Sequence, residues 1–278
     1  MKVTVVQMNT QEDKAANLAS ARALIETAAS TDAPDLIVLP ETFTSMTSDF
    51  DRQRANAETI PDGEACRLMS ELARAHGVYI HAGSMAEAAG DKCYNTTTVW
   101  DREGALIARY RKIHLFDVDV PGGQSYRESD TMRAGNEVVT YDLDGVTVGC
   151  AVCYDLRFPE LFRALRDKDA TVIVLPAAFT LLTGKDHWTP LIKARAIETQ
   201  TYMVASAQIF THDDGRKPCY GHSMIVDPWG TVIAEASDNI GSVTARIDPD
   251  YVELVRGKMP VMQHHVLGDP ATPTREFA

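Results

Sequence analysis

The sequence predicts an α/β fold of four layers, α-β-β-α, built from two pseudo-equivalent halves of one domain. Three observations lead there. Continuous apolar runs of strand length, such as Asp35-Leu-Ile-Val-Leu39 and Thr171 to Leu175, alternate with segments of helical spacing, and such runs are typical of strands buried on both faces. The chain also echoes itself. Leu36-Ile-Val-Leu-Pro40-Glu-Thr-Phe43 resembles Val172-Ile-Val-Leu-Pro176-Ala-Ala-Phe179, and Trp100-Asp-Arg-Glu-Gly104-Ala-Leu-Ile-Ala108 resembles Val226-Asp-Pro-Trp-Gly230-Thr-Val-Ile-Ala234. Both echoes fall at matching places in a repeated order, β-α-β-α-β-β. Two such halves pack sheet to sheet with their helices outside.

Val3, Val5 and Met8 lie in the first strand. Thr10-Gln-Glu-Asp13 reads as a capping box with Asp in the Glu/Gln place, followed by Leu18, Ala21, Ile25 and Ala28 at helical spacing. The next strand stops at Pro40-Glu41. Pro61-Asp-Gly63 opens a helix with Ala65, Leu68, Met69 and Leu72 inward, and Gly77 closes it as a C′ residue. Val78 to Gly83 is a strand. Tyr94 to Trp100 and Ala105 to Tyr110 form a hairpin around Asp101-Arg-Glu-Gly104. Pro121-Gly122-Gly123 begins a polar loop holding Glu128. A second hairpin joins Val138–Leu143 to Val146–Val152. A helix spans Pro159 to Asp167, another His187 to Gln200, and strands cover Tyr202–Gln208, Ser223–Val226 and Thr231–Ala234. Beyond Val261 the chain is Pro-rich and aperiodic, so the domain is set at 1–263 and a C-terminal tail at 264–278.

The 278 residues are 45% apolar and 24% charged, an ordinary globular composition. Acidic residues outnumber basic ones, 39 to 27, giving a net charge of −12 without any basic run. Nucleic acid and anionic membranes are therefore poor partners. No window approaches a membrane span, and no charged-then-apolar leader opens the chain. Five scattered cysteines (66, 93, 150, 153 and 219) make no disulfide framework, so a reducing cytoplasm is expected. Asn95-Thr-Thr matches a glycosylation sequon that, with no secretion signal, is read as coincidence.

Cys153 ends the apolar run Val146, Val148, Cys150, Val152, just before a helix opened by Pro159. A strand-to-helix turn can expose a nucleophile beside free backbone N–H groups; a buried packing cysteine is the alternative. Glu41 and Lys112 stand likewise at the ends of apolar elements. A carboxylate can take the thiol proton and an ammonium can hold a tetrahedral oxyanion, so the three together suit amide hydrolysis. Each also has a plainer reading: Glu41 as a cap or ion pair, Lys112 as one of a solvated basic run. His114 offers a competing Cys–His dyad, sharing a strand face with Lys112 if that strand continues. Cys150-Ala-Val-Cys153 is formally CxxC, but residues three apart in a strand point to opposite faces. No second CxxC supports zinc.

Leu39-Pro-Glu41-Thr-Phe43, Tyr110-Arg-Lys112-Ile-His-Leu-Phe-Asp117 and Gly149-Cys-Ala-Val-Cys153-Tyr-Asp-Leu-Arg-Phe-Pro-Glu160 resemble the three signature blocks of the nitrilase (carbon–nitrogen hydrolase) superfamily. The likeness runs from Lys2 to about Gln263. It implies the nitrilase-type α-β-β-α sandwich and a Glu41–Lys112–Cys153 triad with a thioester intermediate. Glu128, in Tyr126-Arg-Glu128-Ser, matches a second glutamate that positions substrate and lysine. The resemblance further implies no cofactor or metal, a small-molecule amide substrate, and a homodimer or larger assembly paired through the helix after Cys153 and the one ending near Gln200. Within the superfamily the chain is similar to the Nit-type amidases. It shares Lys112 to Pro121 with the ω-amidases, and Thr183-Gly184, His187-Trp188, Arg195 to Gln200 and Tyr220 to Gly230 with the deaminated glutathione amidases. By position Tyr154, Phe179, Thr183 and His187 are expected to bind substrate. The expected activity is hydrolysis of deaminated glutathione to 2-oxoglutarate and cysteinylglycine. Alternatives are ω-amidase action on 2-oxoglutaramate, N-carbamoyl amino acid hydrolysis, or a non-catalytic redox-sensing thiol protein.

Overall fold

Alternation along the central strands decides the layers. Val3, Val5, Leu36 and Val38 share one core with Val148, Cys150, Val172 and Val174, whereas Val6, Met8, Ile37 and Leu39 share another with Leu18, Ile25, Met69 and Leu72. These central parallel strands thus carry apolar residues on both faces, one against the opposite sheet and one against helices. The computed structural model describes residues 1–120, 124–213 and 215–265. The first half contains β1 (Lys2–Gln7), α1 (Lys14–Asp32), β2 (Leu36–Val38), α2 (Phe50–Ala55), α3 (Glu64–His76), β3 (Tyr79–His81), β4 (Met85–Ala89), β5 (Lys92–Trp100) and β6 (Leu106–Arg111). A connecting segment holds β7 (Asp117–Asp119), β8 (Ser125–Arg127) and β9 (Met132–Arg133). The second half contains β10 (Thr140–Leu143), β11 (Val146–Cys150), α4 (Pro159–Asp167), β12 (Val172–Ala177), α5 (Leu181–Thr199), β13 (Tyr202–Ala207), β14 (Ile209–His212), β15 (Lys217–Tyr220), β16 (Met224–Val226) and β17 (Val232–Glu235). The chain then returns to the first sheet through β18 (Gly241–Arg246) before α6 (Pro249–Lys258).

One sheet runs β18-β1-β2-β3-β5-β4, with β6 and β9 also paired to β5; the other runs β10-β11-β12-β13-β16-β17. In each, three parallel strands continue into an antiparallel pair. The predicted duplication is thus physical: β1, β2, β3, β5 and β6 answer to β11, β12, β13, β16 and β17. The sheets touch where Met8 bridges to Gln208 and where Ser206 Oγ donates to the carbonyl of Val6.

Several boundaries differ from the sequence reading. The first helix is capped by Asp13, whose carboxylate accepts from the amide of Ala16 at 3.1 Å, not by Thr10. Helix α5 starts at Leu181 rather than His187. Gly184 lies inside it because an added Cβ would come within 2.3 Å of Tyr220; the glycine lets strand β15 approach. Strand β6 stops at Arg111, so Lys112 and His114 do not share a continuing strand face. The periodic pattern missed β4, β7, β8, β9, β14, β15 and β18, and helices α2 and α6. The turn expected at Pro121-Gly122-Gly123 and the tail from 266 lie outside the described residues.

Candidate active site

Glu41 follows β2 at the point where the first half meets the second. Its Oε1 accepts from Lys112 Nζ at 3.0 Å and from Asn95 Nδ2 at 2.9 Å, and its Oε2 accepts from the backbone N–H of Ala178 at 2.8 Å. Ala178 follows β12, one residue past the position that echoes Glu41. Gly83 makes this possible. It has φ +44°, and an added Cβ would lie 2.0 Å from the carbonyl oxygen of Pro40. Only glycine lets the chain after β3 pass so close to the turn carrying Glu41.

Lys112 lies just past β6 and is 2% exposed. Its ammonium donates to Glu41 and, at 2.8 Å, to Glu128 Oε2. Burial alone would pull this amine down. The carboxylates of Glu128 and Glu41, with the Cys153 sulfur, outweigh that and hold it well above the ordinary lysine range. Glu128 opens a short 3-10 helix, and the amide of Phe116 fixes its Oε2 at 2.7 Å. Asn95 Nδ2, on β5, spans the two carboxylates, 2.9 Å from Glu41 and 3.1 Å from Glu128.

Cys153 begins the 3-10 turn after β11 with φ +46°, a conformation rare outside glycine. Burial first, then the adjacent Glu41 carboxylate, push its thiol well above the usual range, against the pull of Lys112. The resting sulfur is therefore protonated, with a carboxylate at hand. Asp155 secures this turn. One oxygen accepts from Tyr110 Oη at 2.6 Å and the Val152 amide at 2.8 Å; the other accepts from the backbone amide and Nδ1 of His114, at 3.1 and 2.7 Å. Tyr110 and His114 flank Lys112, so one buried carboxylate ties the lysine segment to the cysteine turn. His114 also stacks on Phe158 with ring centroids 3.7 Å apart.

Glu41, Lys112, Glu128 and Cys153 line one pocket of about 430 Å³, together with Asn95, Phe116, Tyr126, Thr180 and Lys217. His114 is absent from its walls, and so are Tyr154, Phe179, Thr183 and His187. The Tyr154 ring packs edge-on against Phe116 and Phe158. Phe179 is buried against Trp188 beneath the Arg157 guanidinium. Thr183 Oγ1 pairs with Thr180 Oγ1 at 2.8 Å, and His187 is exposed, 3.4 Å from Arg157. Cys150 is fully buried in β11 with its thiol pushed up by burial. Among the described residues no group of His, Cys, Asp and Glu is arranged for a metal ion.

The family model for carbon-nitrogen hydrolases matches residues 2–257. The chain belongs to the carbon-nitrogen hydrolase family. It is 40% identical over 267 residues to a deaminated glutathione amidase of Synechocystis sp. (strain PCC 6803), covering 94% of this chain and 96% of that one. It is 38% identical over 262 residues to omega-amidase NIT2 of Danio rerio, covering 94% and 92%. Among solved structures, the Nit3 protein of Saccharomyces cerevisiae, a member of the nitrilase superfamily, superposes with a TM-score of 0.85 at 32% identity, covering 94% of each chain. This carbon-nitrogen hydrolase is thus an enzyme acting on amides, with the nitrilase-type fold.

Two residues of the hydrolase's site carried no usable sequence signal. Asn95 read only as a sequon, yet it is 2% exposed, with its amide turned to two glutamates. Asp155 stands in the cysteine block with no role assigned to it from sequence. Its complete burial would be costly without partners, and it has four donors. Among the described residues no helix is long and apolar enough to cross a membrane.

Proposed function

We propose that this hydrolase is a cysteine amidase whose substrate is a small carboxylated linear amide, with deaminated glutathione as the first choice. The observation that carries the proposal is the buried Lys112 ammonium held between Glu41 and Glu128 in the pocket that Cys153 enters. As Cys153 Sγ attacks the amide carbon, its proton passes to Glu41. The carbonyl oxygen becomes an oxyanion beside Lys112. The C–N bond then breaks, and Glu41 returns the proton to the departing amine. That leaves a thioester on Cys153. Water enters, Glu41 takes its proton, and the new C–O bond displaces the sulfur, which recovers the proton. Glu128 and Asn95 hold Lys112 and Glu41 in register throughout.

Relatives named deaminated glutathione amidase support the substrate choice. The products would be 2-oxoglutarate and cysteinylglycine. The omega-amidase NIT2 relative at 38% identity favours 2-oxoglutaramate as the second reading. A cytoplasmic homodimer is proposed as the working form, supported by five free, buried cysteines and an apolar outer face on α5. The test is the initial hydrolysis rate on deaminated glutathione beside 2-oxoglutaramate, with the Cys153→Ala protein as blank. A preference for the first amide supports the proposal; a preference for the second moves the enzyme to the ω-amidases. Residual turnover in the blank would refute the thioester mechanism.

A further inference from the structure

We propose that Lys217 anchors a carboxylate of the substrate at the end remote from the scissile amide. The inference rests on the amidase reading above and adds the residue that selects the substrate class. Three cationic side chains line the pocket: Lys112, Arg127 and Lys217. Lys112 is satisfied by two carboxylates. Arg127 is committed outward, with Nη2 on both oxygens of Asp119 at 3.0 and 3.1 Å and Nη1 on the carbonyls of Tyr126 and Val118 at 2.7 and 3.2 Å.

Lys217 is different. At the start of β15, its ammonium donates among the described residues to one backbone oxygen, that of Thr47 at 3.1 Å, and lies 4.0 Å from Asp213 Oδ2, beyond hydrogen-bonding distance. That carboxylate is already claimed by Arg216 Nη2, at 2.8 Å, and by Ser48 Oγ. The side chain is only 25% exposed. Burial therefore pulls this amine below the ordinary lysine range despite Asp213. A half-buried cation with donor capacity to spare, on the wall of a pocket, suits an anionic ligand. Ser45, Thr47, Ser48 and Gln53 line the same pocket and add polar groups to its wall.

The experiment compares two amides of equal chain length, succinamate and butyramide, which differ by one carboxylate. The wild-type enzyme should prefer succinamate in kcat/KM. Lys217→Met should reduce that preference on the order of 10–100-fold, mainly through KM, as loss of a charge-assisted hydrogen bond would; Lys217→Arg should retain most of it. Absence of a preference in the wild type, or an unaltered preference in Lys217→Met, overturns the anchor. If the methionine variant unfolds, Lys217→Gln, which keeps a donor for the Thr47 carbonyl and removes the charge, takes its place. Should the wild type hydrolyse neither of these two amides, the amidase reading is decided by its own assay on deaminated glutathione and 2-oxoglutaramate. Calorimetric binding of glutarate to the Cys153→Ala protein then decides the anchor: at least 10-fold weaker binding after Lys217→Met supports it, and equal binding overturns it.

Discussion

In the proposed mechanism Glu41 pairs with Lys112 and must also receive a proton from a thiol that the neighbouring carboxylate has made harder to ionise. The conflict resolves if proton transfer and attack coincide, since a free thiolate is scarcely populated at rest. Glu41→Gln keeps the size and loses the base, so kcat should fall by ~10²–10⁴-fold, the usual worth of general base catalysis. His114→Gln should do far less, because His114 Nδ1 is bound to Asp155 and its ring is stacked on Phe158. Stopped turnover in His114→Gln with activity retained in Glu41→Gln would restore the Cys–His dyad. Cys153, Lys112 and Glu41 were legible in the sequence because each interrupts the end of an apolar element, where a polar side chain needs a reason. Asn95 and Asp155 were not. Their roles depend on what folds beside them, and neither breaks a pattern.

Strands β2 and β3 were readable from their apolar runs, but their spacing at the site depends on Gly83. Gly83→Ala forces a left-handed backbone at a cost of ~1–3 kcal/mol and drives Cβ into the Pro40 carbonyl. Its melting temperature should fall by several degrees and its activity with it; a wild-type melting curve would refute the close-approach argument. Strand β3 also carries His81, fully buried, with Nδ1 3.2 Å from Tyr141 Oη. Burial lowers its pKa from the ordinary 6.5 to about 3. Between those values the unfolded chain binds a proton that the native protein excludes. Stability should therefore fall as pH drops from ~6.5 towards ~3, in total by about 5 kcal/mol at most. Urea midpoints measured from pH 7 to 4.5 should slope less in His81→Gln; an identical slope in both proteins would assign the acid sensitivity elsewhere. Most of the strands missed from sequence share a cause. Strands β4, β7, β8, β14 and β15 have three to five residues each, too few to show a period. Strand β18 earns its place only by pairing with β1 across the length of the chain. Helix α6 was findable: Asp248 caps it and Pro249 opens it.

The molecule's duplication could be read from two short echoes, because equivalent strands bury equivalent faces. The outer surface could not, since exposed residues obey few rules. Ile197 on α5 is 52% exposed, and Trp229, 57% exposed, sits in the turn that packs on it: an added Cβ at Gly230 would lie 2.6 Å from Ile197. A homodimer covering this face should be split by Ile197→Glu, with the mass by light scattering falling from twice 30.5 kDa to once; a wild type already monomeric would remove the pairing through α5. One contact within the chain has a kinetic consequence. The amide of Ala178, from one half, holds the carboxylate of Glu41, from the other, and Gln208 binds the Glu41 carbonyl at 2.9 Å from the same side. Neither half alone can assemble the site. During refolding, recovery of catalysis must therefore lag behind the return of helix and strand signals until the two sheets have docked, making turnover a clock for the last step of folding.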